Sequence, residues 1–70
     1  TGALANLSAR EIEVLEHEAR GFTVGQIARR LALSPRTVET HLRTAYRKLG
    51  VRNRVQALAR ASALGLIRID

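Results

Sequence analysis

Four times within 70 residues the chain sets a short polar side chain three positions ahead of Glu, Gln or Thr: Ser8 and Glu11, Thr23 and Gln26, Ser34 and Thr37, Asn53 and Gln56. The first member of such a pair accepts a hydrogen bond from the backbone N–H three residues on, and a Glu or Gln in the second place can return one, so each pair marks a helix start. Leu7, Phe22 and Leu33 stand immediately before the first three caps, where they can staple onto Ile12, Ile27 and Val38. The stops are equally regular, with Gly21, Gly50 and Gly65 placed where a helix would end in a left-handed turn. The spacing predicts helices over about residues 9–20, 24–31, 35–49 and 54–64. Pro35 suits the first turn of the third helix, where its missing N–H costs nothing. Only Ala32 and Leu33 lie between the second helix and the third cap, and no alternating strand pattern competes. The expected fold class is all-α, a small four-helix bundle. Gly25, inside the second helix, costs roughly 1 kcal/mol relative to Ala and loosens it.

A domain of this size buries roughly 60% of the surface its unfolded chain exposes, so the core is modest. The chain has no cysteine, and no cluster of metal ligands, so packing and capping must hold it together. Absence of cysteine fits a reducing, cytoplasmic location. No apolar run is long enough to span a bilayer, so no membrane association is expected. Thr1 in place of Met reads as a domain taken from a longer protein, with residues 7–67 as the folded unit, 1–6 as a linker and 68–70 as a tail.

Charge is distributed unevenly along this chain of net +6. Residues 1–28 set Arg10 and Arg20 against Glu11, Glu13, Glu16 and Glu18, whereas residues 29–54 carry eight Arg or Lys against Glu39 alone. A basic zone on one element is the footprint of a nucleic-acid binder. At about 100° per residue, Val38, Leu42, Ala45 and Leu49 share one face of the third helix and Arg36, Thr40, Arg43 and Arg47 the opposite one. A helix anchored by an apolar stripe, basic outside and preceded by a tight turn, makes the second and third helices a helix-turn-helix.

In that reading the third helix enters the major groove of double-stranded DNA. Arg43 can pair with guanine O6 and N7, Thr40 can offer its hydroxyl or methyl, and Glu39 can accept from cytosine N4, which makes these three the base-edge candidates. Arg36, Thr37, Arg47, Lys48 and Arg52 are placed for phosphates, and the caps Thr23 and Ser34 bring free backbone N–H groups to anions. Plainer roles stand beside these. The cations could be a solvated surface, Glu39 could pair with Arg43 four residues on, Thr37 could only complete the first turn, and Ser34 is first of all a cap. His41 either touches phosphate or covers the helix. His17 lies in a stretch that reads as a solvent face with Glu16 pairing Arg20, and Tyr46 reads as a packing residue with its hydroxyl at the rim. No serine has a histidine and carboxylate arranged to activate it, so catalysis and cofactors are not expected.

Leu7-Ser8-Ala9-Arg10-Glu11 with Val14-Leu15, then Gly21, Ile27-Ala28, Leu31, Ser34, Thr37-Val38, His41 and Lys48-Leu49-Gly50-Val51, recur together in one ordered spacing. This pattern, completed by Arg54, Ala57, Ala61 and Gly65-Leu66-Ile67, resembles the LuxR-type helix-turn-helix domain over about residues 6–67. Its Ser34–Arg43 stretch is most similar to the large ATP-binding regulators of the MalT-like kind, and response regulators of the NarL type share the same domain. The resemblance implies the output domain of a bacterial transcription regulator, with Glu39, Thr40 and Arg43 at the positions that face bases. It also implies a homodimer on DNA, often formed by the last helix, where Ala57 and Ala61 would be the dimer face unless they pack internally. RNA polymerase is the further partner expected of the full-length protein. A sigma-factor-like promoter-reading region and a helix-turn-helix protein-interaction module are the competing readings.

Overall fold

The structure, a computed structural model, describes residues 6–68. Four helices follow one another, α1 (Ala9–Ala19), α2 (Val24–Leu31), α3 (Pro35–Leu49) and α4 (Arg54–Ala63), and no strand occurs among the described residues. The linker expected over residues 1–6 lies, apart from Asn6, outside the described residues, as do Ile69 and Asp70 of the expected tail.

All four caps form, in three different ways. Ser8 Oγ accepts from the Glu11 N–H at 3.0 Å while Glu11 Oε1 accepts from the Ser8 N–H at 2.9 Å, and Thr23 with Gln26 repeats this at 3.2 and 2.9 Å. At α3, Ser34 Oγ accepts from the Thr37 N–H at 3.1 Å and also bonds the Thr37 hydroxyl at 2.9 Å. At α4, Asn53 Oδ1 accepts from the Gln56 N–H at 2.9 Å, but the Gln56 side chain reaches past the cap to accept from the Arg52 N–H at 3.1 Å. The reciprocal box expected at Asn53 is thus displaced by one residue. Asn53 is more extended, with φ at −143° where Ser8 and Thr23 have −71° and −77°, and it is the preceding N–H that faces the amide.

The helix ends share one design. Phe22, Leu33, Val51 and Leu66 each donate a backbone N–H to the carbonyl five residues earlier, of His17, Ala28, Tyr46 and Ala61. In each case the residue just before the donor has positive φ, namely Gly21, Ala32, Gly50 and Gly65. This is the Schellman closure, in which an apolar residue follows the left-handed one. Phe22 and Leu33 each close one helix and immediately precede the cap of the next. Phe22 is pinned further by Arg30, whose guanidinium carbon lies 4.5 Å from the ring centroid, and by the His17 ring at 5.7 Å.

Two apolar clusters meet along α3. Val14, Ile27, Ala28 and Val38 form one, joining α1, α2 and the first half of α3. Leu15, Ala45, Leu49 and Ala61, with Leu7 and Ile67 from the flanking segments, form the other. Leu42 packs against both, so α3, like α1 through Val14 and Leu15, contributes to each half of the core. Leu15, Ile27, Val14 and Val38 are fully buried, and each such side chain contributes about 1.5–3 kcal/mol of transfer free energy.

Ala32 departs from the design because its Cβ occupies a left-handed conformation, φ 58° and ψ 43°, which costs a non-glycine residue about 1–2 kcal/mol. Its side chain is exposed, so Ala32→Gly removes the strain without opening a cavity and loses only part of the gain to unfolded-chain entropy. The expected outcome is an increase in stability of about 0.5–1 kcal/mol, read from the urea midpoint. A lower midpoint would show that the turn is not strained.

Candidate nucleic-acid interface

The shape of α3 comes from its capped start at Ser34, a proline in its first turn and a left-handed stop at Gly50. Its stripe of Val38, Ala45 and Leu49 is buried. Arg36, Glu39, Thr40, Arg43 and Arg47 are all exposed on the remaining surface. Three guanidinium groups therefore stand together on one side of one rigid element, as the periodicity requires.

Two polar contacts from α1 decide how that element is turned. Lys48 Nζ bonds Glu11 Oε1 at 3.0 Å, and the Tyr46 hydroxyl donates to the Glu18 carboxylate, with its oxygens at 3.0 and 3.1 Å. At about 100° per residue, Lys48 and Tyr46 lie on opposite flanks of the buried stripe, each roughly 70–90° from its centre. One flank is tied through each, so α3 cannot roll about its own axis without breaking a bond. Arg54 completes the second tie by donating from Nη2 to the Glu18 backbone carbonyl at 2.8 Å, which brings the start of α4 to the end of α1.

The two carboxylates carry opposite shifts. Burial on its own would raise Glu11, but the Ser8 N–H, the Lys48 ammonium and the more distant His41 together hold it below the usual carboxylate range. Glu18 is pushed above that range by burial, against the opposing pull of the Tyr46 hydroxyl and Arg54. Burial and the adjacent Glu18 raise the Tyr46 hydroxyl well above its ordinary value and keep it a donor.

Several expected roles change in consequence. Lys48, expected at a phosphate, bonds the buried Glu11 carboxylate instead, which without that partner would be left a poorly compensated charge. Ala57 and Ala61 are fully buried inside the chain's own core and form no dimer face. They are small because α4 sits close to α1 and α3, and the outward side of α4 carries Val55, 79% exposed, with Ala59 and Ala63. The α1 stretch expected to face solvent buries Glu18, and its ion pair is Arg10 with Glu13 at 3.2 Å rather than Glu16 with Arg20. Tyr46 is the rim residue expected, with a partner that sequence reasoning missed. The one available signal was the seven-residue separation of Glu11 and Glu18, which puts both on the face of α1 that carries Leu15.

The hydroxyls near the start of α3 are also partly committed. Ser34 and Thr37 bond each other, and the Thr40 hydroxyl donates to the Arg36 carbonyl at 3.0 Å. Thr23 caps α2 in the same way as Ser8 caps α1. Arg52 is exposed in the connection between α3 and α4.

Residues 5–61 match the family described as bacterial regulatory proteins, luxR family. The chain belongs to that family. RpaR, an HTH-type quorum sensing-dependent transcriptional regulator of Rhodopseudomonas palustris, is 46% identical to it over 63 residues, covering 90% of this chain and 26% of RpaR. The solved structure of the transcription factor GerE superposes with a TM-score of 0.87 at 33% identity, covering 91% of this chain and 96% of GerE. ChrA, the response regulator of a heme-sensing two-component system, superposes at 0.83 with 48% identity over 87% of this chain and 30% of its own. The chain therefore corresponds to about a quarter to a third of those two longer relatives and to nearly all of GerE. It is the luxR-type helix-turn-helix domain found in transcription regulators, four-helical as the sequence pattern implied.

The opposite shifts at the two ties of this luxR-family domain make a pH prediction with a definite sign. Glu11 titrates lower when folded, so its contribution is present above the unfolded pKa of about 4.3 and is lost as pH falls through the folded value. Glu18 titrates higher when folded, so its contribution is present below about 4.3 and is lost as pH rises through the raised value. Glu11→Gln should flatten the acid side of the stability profile, while Glu18→Gln should stabilise at neutral pH with an advantage that vanishes in acid. Urea midpoints across pH measure both, and parallel profiles for wild type and variants would remove the two carboxylates from the account.

Proposed function

We propose that this domain binds double-stranded DNA sequence-specifically, with α3 in the major groove, as the output domain of a bacterial transcription regulator. The observation that carries the reading is the exposed set Arg36, Arg43 and Arg47 on the side of α3 opposite its buried stripe, in a chain of the luxR family. A major groove about 12 Å wide admits one helix. Residues of its N-terminal half then meet base edges and its flanks meet phosphates. Arg43, Thr40 and Glu39 take the first role. Arg36, Arg47, Thr37 and Arg52 take the second, together with the free N–H groups at Ser34 and Thr23.

The assignment separates two kinds of loss. Arg43→Ala should weaken binding to the preferred site by about 1–3 kcal/mol and relax one base preference. Arg47→Ala should weaken all duplexes alike and flatten the log-log salt dependence by about one unit. Fluorescence anisotropy on matched and scrambled duplexes over a salt series distinguishes them. An equal loss on every duplex for Arg43→Ala, or an unchanged slope for Arg47→Ala, contradicts the respective role.

Two copies on one operator follow from the same reading. The outward side of α4, with Val55, Ala59 and Ala63 exposed, is the surface we assign to the second copy in place of Ala57 and Ala61. Val55→Asp should then abolish cooperative binding to paired half-sites while leaving the affinity for one half-site unchanged. Cooperativity equal to wild type would rule this surface out. On this reading the domain acts in the cytoplasm, where its DNA would lie, and contact with RNA polymerase is a role of the assembled regulator. The RpaR, GerE and ChrA names, which describe regulators and no catalyst, favour this reading over an enzyme.

A further inference from the structure

We propose that Glu39 is the specificity-determining residue of α3, selecting a cytosine about two base steps from the guanine taken by Arg43; this rests on the DNA-binding reading above. An ion pair between Glu39 and Arg43 is what their four-residue separation would ordinarily produce. It does not form, since the ion pairs among the described residues are Arg10 with Glu13 and Lys48 with Glu11. Both Glu39 and Arg43 are exposed. The carboxylate is left unpaired on an exposed surface that otherwise carries guanidinium groups, those of Arg36 and Arg43 each about one turn away.

Thr40, next to Glu39 in sequence but on the far side of Arg43 around the helix, has lost its versatility. Its hydroxyl proton is spent on the Arg36 carbonyl at 3.0 Å, so outward it presents an oxygen lone pair and a methyl group. Around the exposed surface of α3 the base-edge candidates then read as an acceptor at Glu39, on the flank next to the buried stripe, a donor at Arg43, and beyond it an acceptor with a methyl at Thr40. The base edges that complement it are an amino group, a thymine methyl or amino group, and the O6 and N7 acceptors of guanine.

Only cytosine satisfies Glu39 without conflict. Guanine offers N7 and O6 in the major groove and thymine offers O4, all acceptors that repel a carboxylate, while adenine places N7 beside its amino group. Cytosine presents its N4 donor alone. The separation follows from helix geometry, because four residues rise about 6 Å and base pairs are spaced about 3.4 Å apart. A carboxylate pushed among phosphates without an amino partner is penalised, so Glu39 acts more by rejecting wrong sequences than by adding affinity for the right one.

Selection from a randomised duplex pool, with this chain and with Glu39→Gln and Glu39→Ala, tests the proposal. Glu39 is exposed, so both variants should keep the helical circular dichroism of the wild type. Wild type should enrich a motif in which cytosine is preferred about tenfold at one position near a fixed guanine, the guanine being located by its loss in Arg43→Ala. Glu39→Gln should move that preference to adenine, whose N6 and N7 a Gln amide bonds together. Glu39→Ala should erase the preference and tighten binding to unselected duplex. A motif that appears in wild type and is unaltered in both variants overturns the role of Glu39 while leaving the DNA-binding reading intact. Recovery of no motif by any of the proteins, with retention independent of salt, overturns the DNA-binding reading itself and this inference with it.

Discussion

Everything the domain presents outward depends on the rotation of α3 about its own axis. A helix held by an apolar stripe alone is only loosely fixed about its own axis, since the hydrophobic effect is not directional. Here the stripe of Val38, Ala45 and Leu49 is bracketed by the bonds of Lys48 to Glu11 and of Tyr46 to Glu18. Hydrogen bonds weaken steeply with misalignment, so the pair converts a slippery seat into a registered one. The acidic residues of α1 thus work behind the basic helix, neutralising one of its cations and orienting the rest.

Burial makes these ties demanding as well as useful. Glu11 and Glu18 are 6% and 8% exposed, and a carboxylate in that setting destabilises the fold unless its partners stay in place. Glu11 has a backbone N–H and an ammonium and is comfortable as an anion. Glu18 has a neutral hydroxyl and a guanidinium bonded to its backbone rather than to its oxygens, and burial prevails. The two ends of the clamp therefore differ in character, one an ion pair whose ammonium is partly exposed, the other a carboxylate held by a neutral hydroxyl.

Much of this was legible in the sequence. Helix starts and stops are governed by local hydrogen bonds between residues three to five apart, so Ser8, Thr23, Ser34 and Gly50 identify their elements without reference to the rest of the chain. The faces of α3 were equally plain, because a fifteen-residue helix with a clean stripe leaves no freedom in which side chains point inward. What the residues did not reveal is which long polar side chains would be captured across the core. Lys48 reads as one more surface cation until α1 is packed against it, and Glu18 as solvent-facing until Tyr46 is brought over it from 28 positions away. The alanines of α4 failed for the converse reason: a small side chain permits close approach from either side of a helix, and only the packing tells which side was used.

Phe22 and Leu33, each ending one helix and introducing the next, leave almost no slack between α1, α2 and α3. Loosening the last turn of α1 releases the backbone bond of Phe22 to His17, and with it the residue against which Arg30 of α2 is seated. Fraying in such a chain does not stay local. The first three helices should open and close as a single cooperative unit in hydrogen exchange, so the helix that faces outward is as durable as the core behind it.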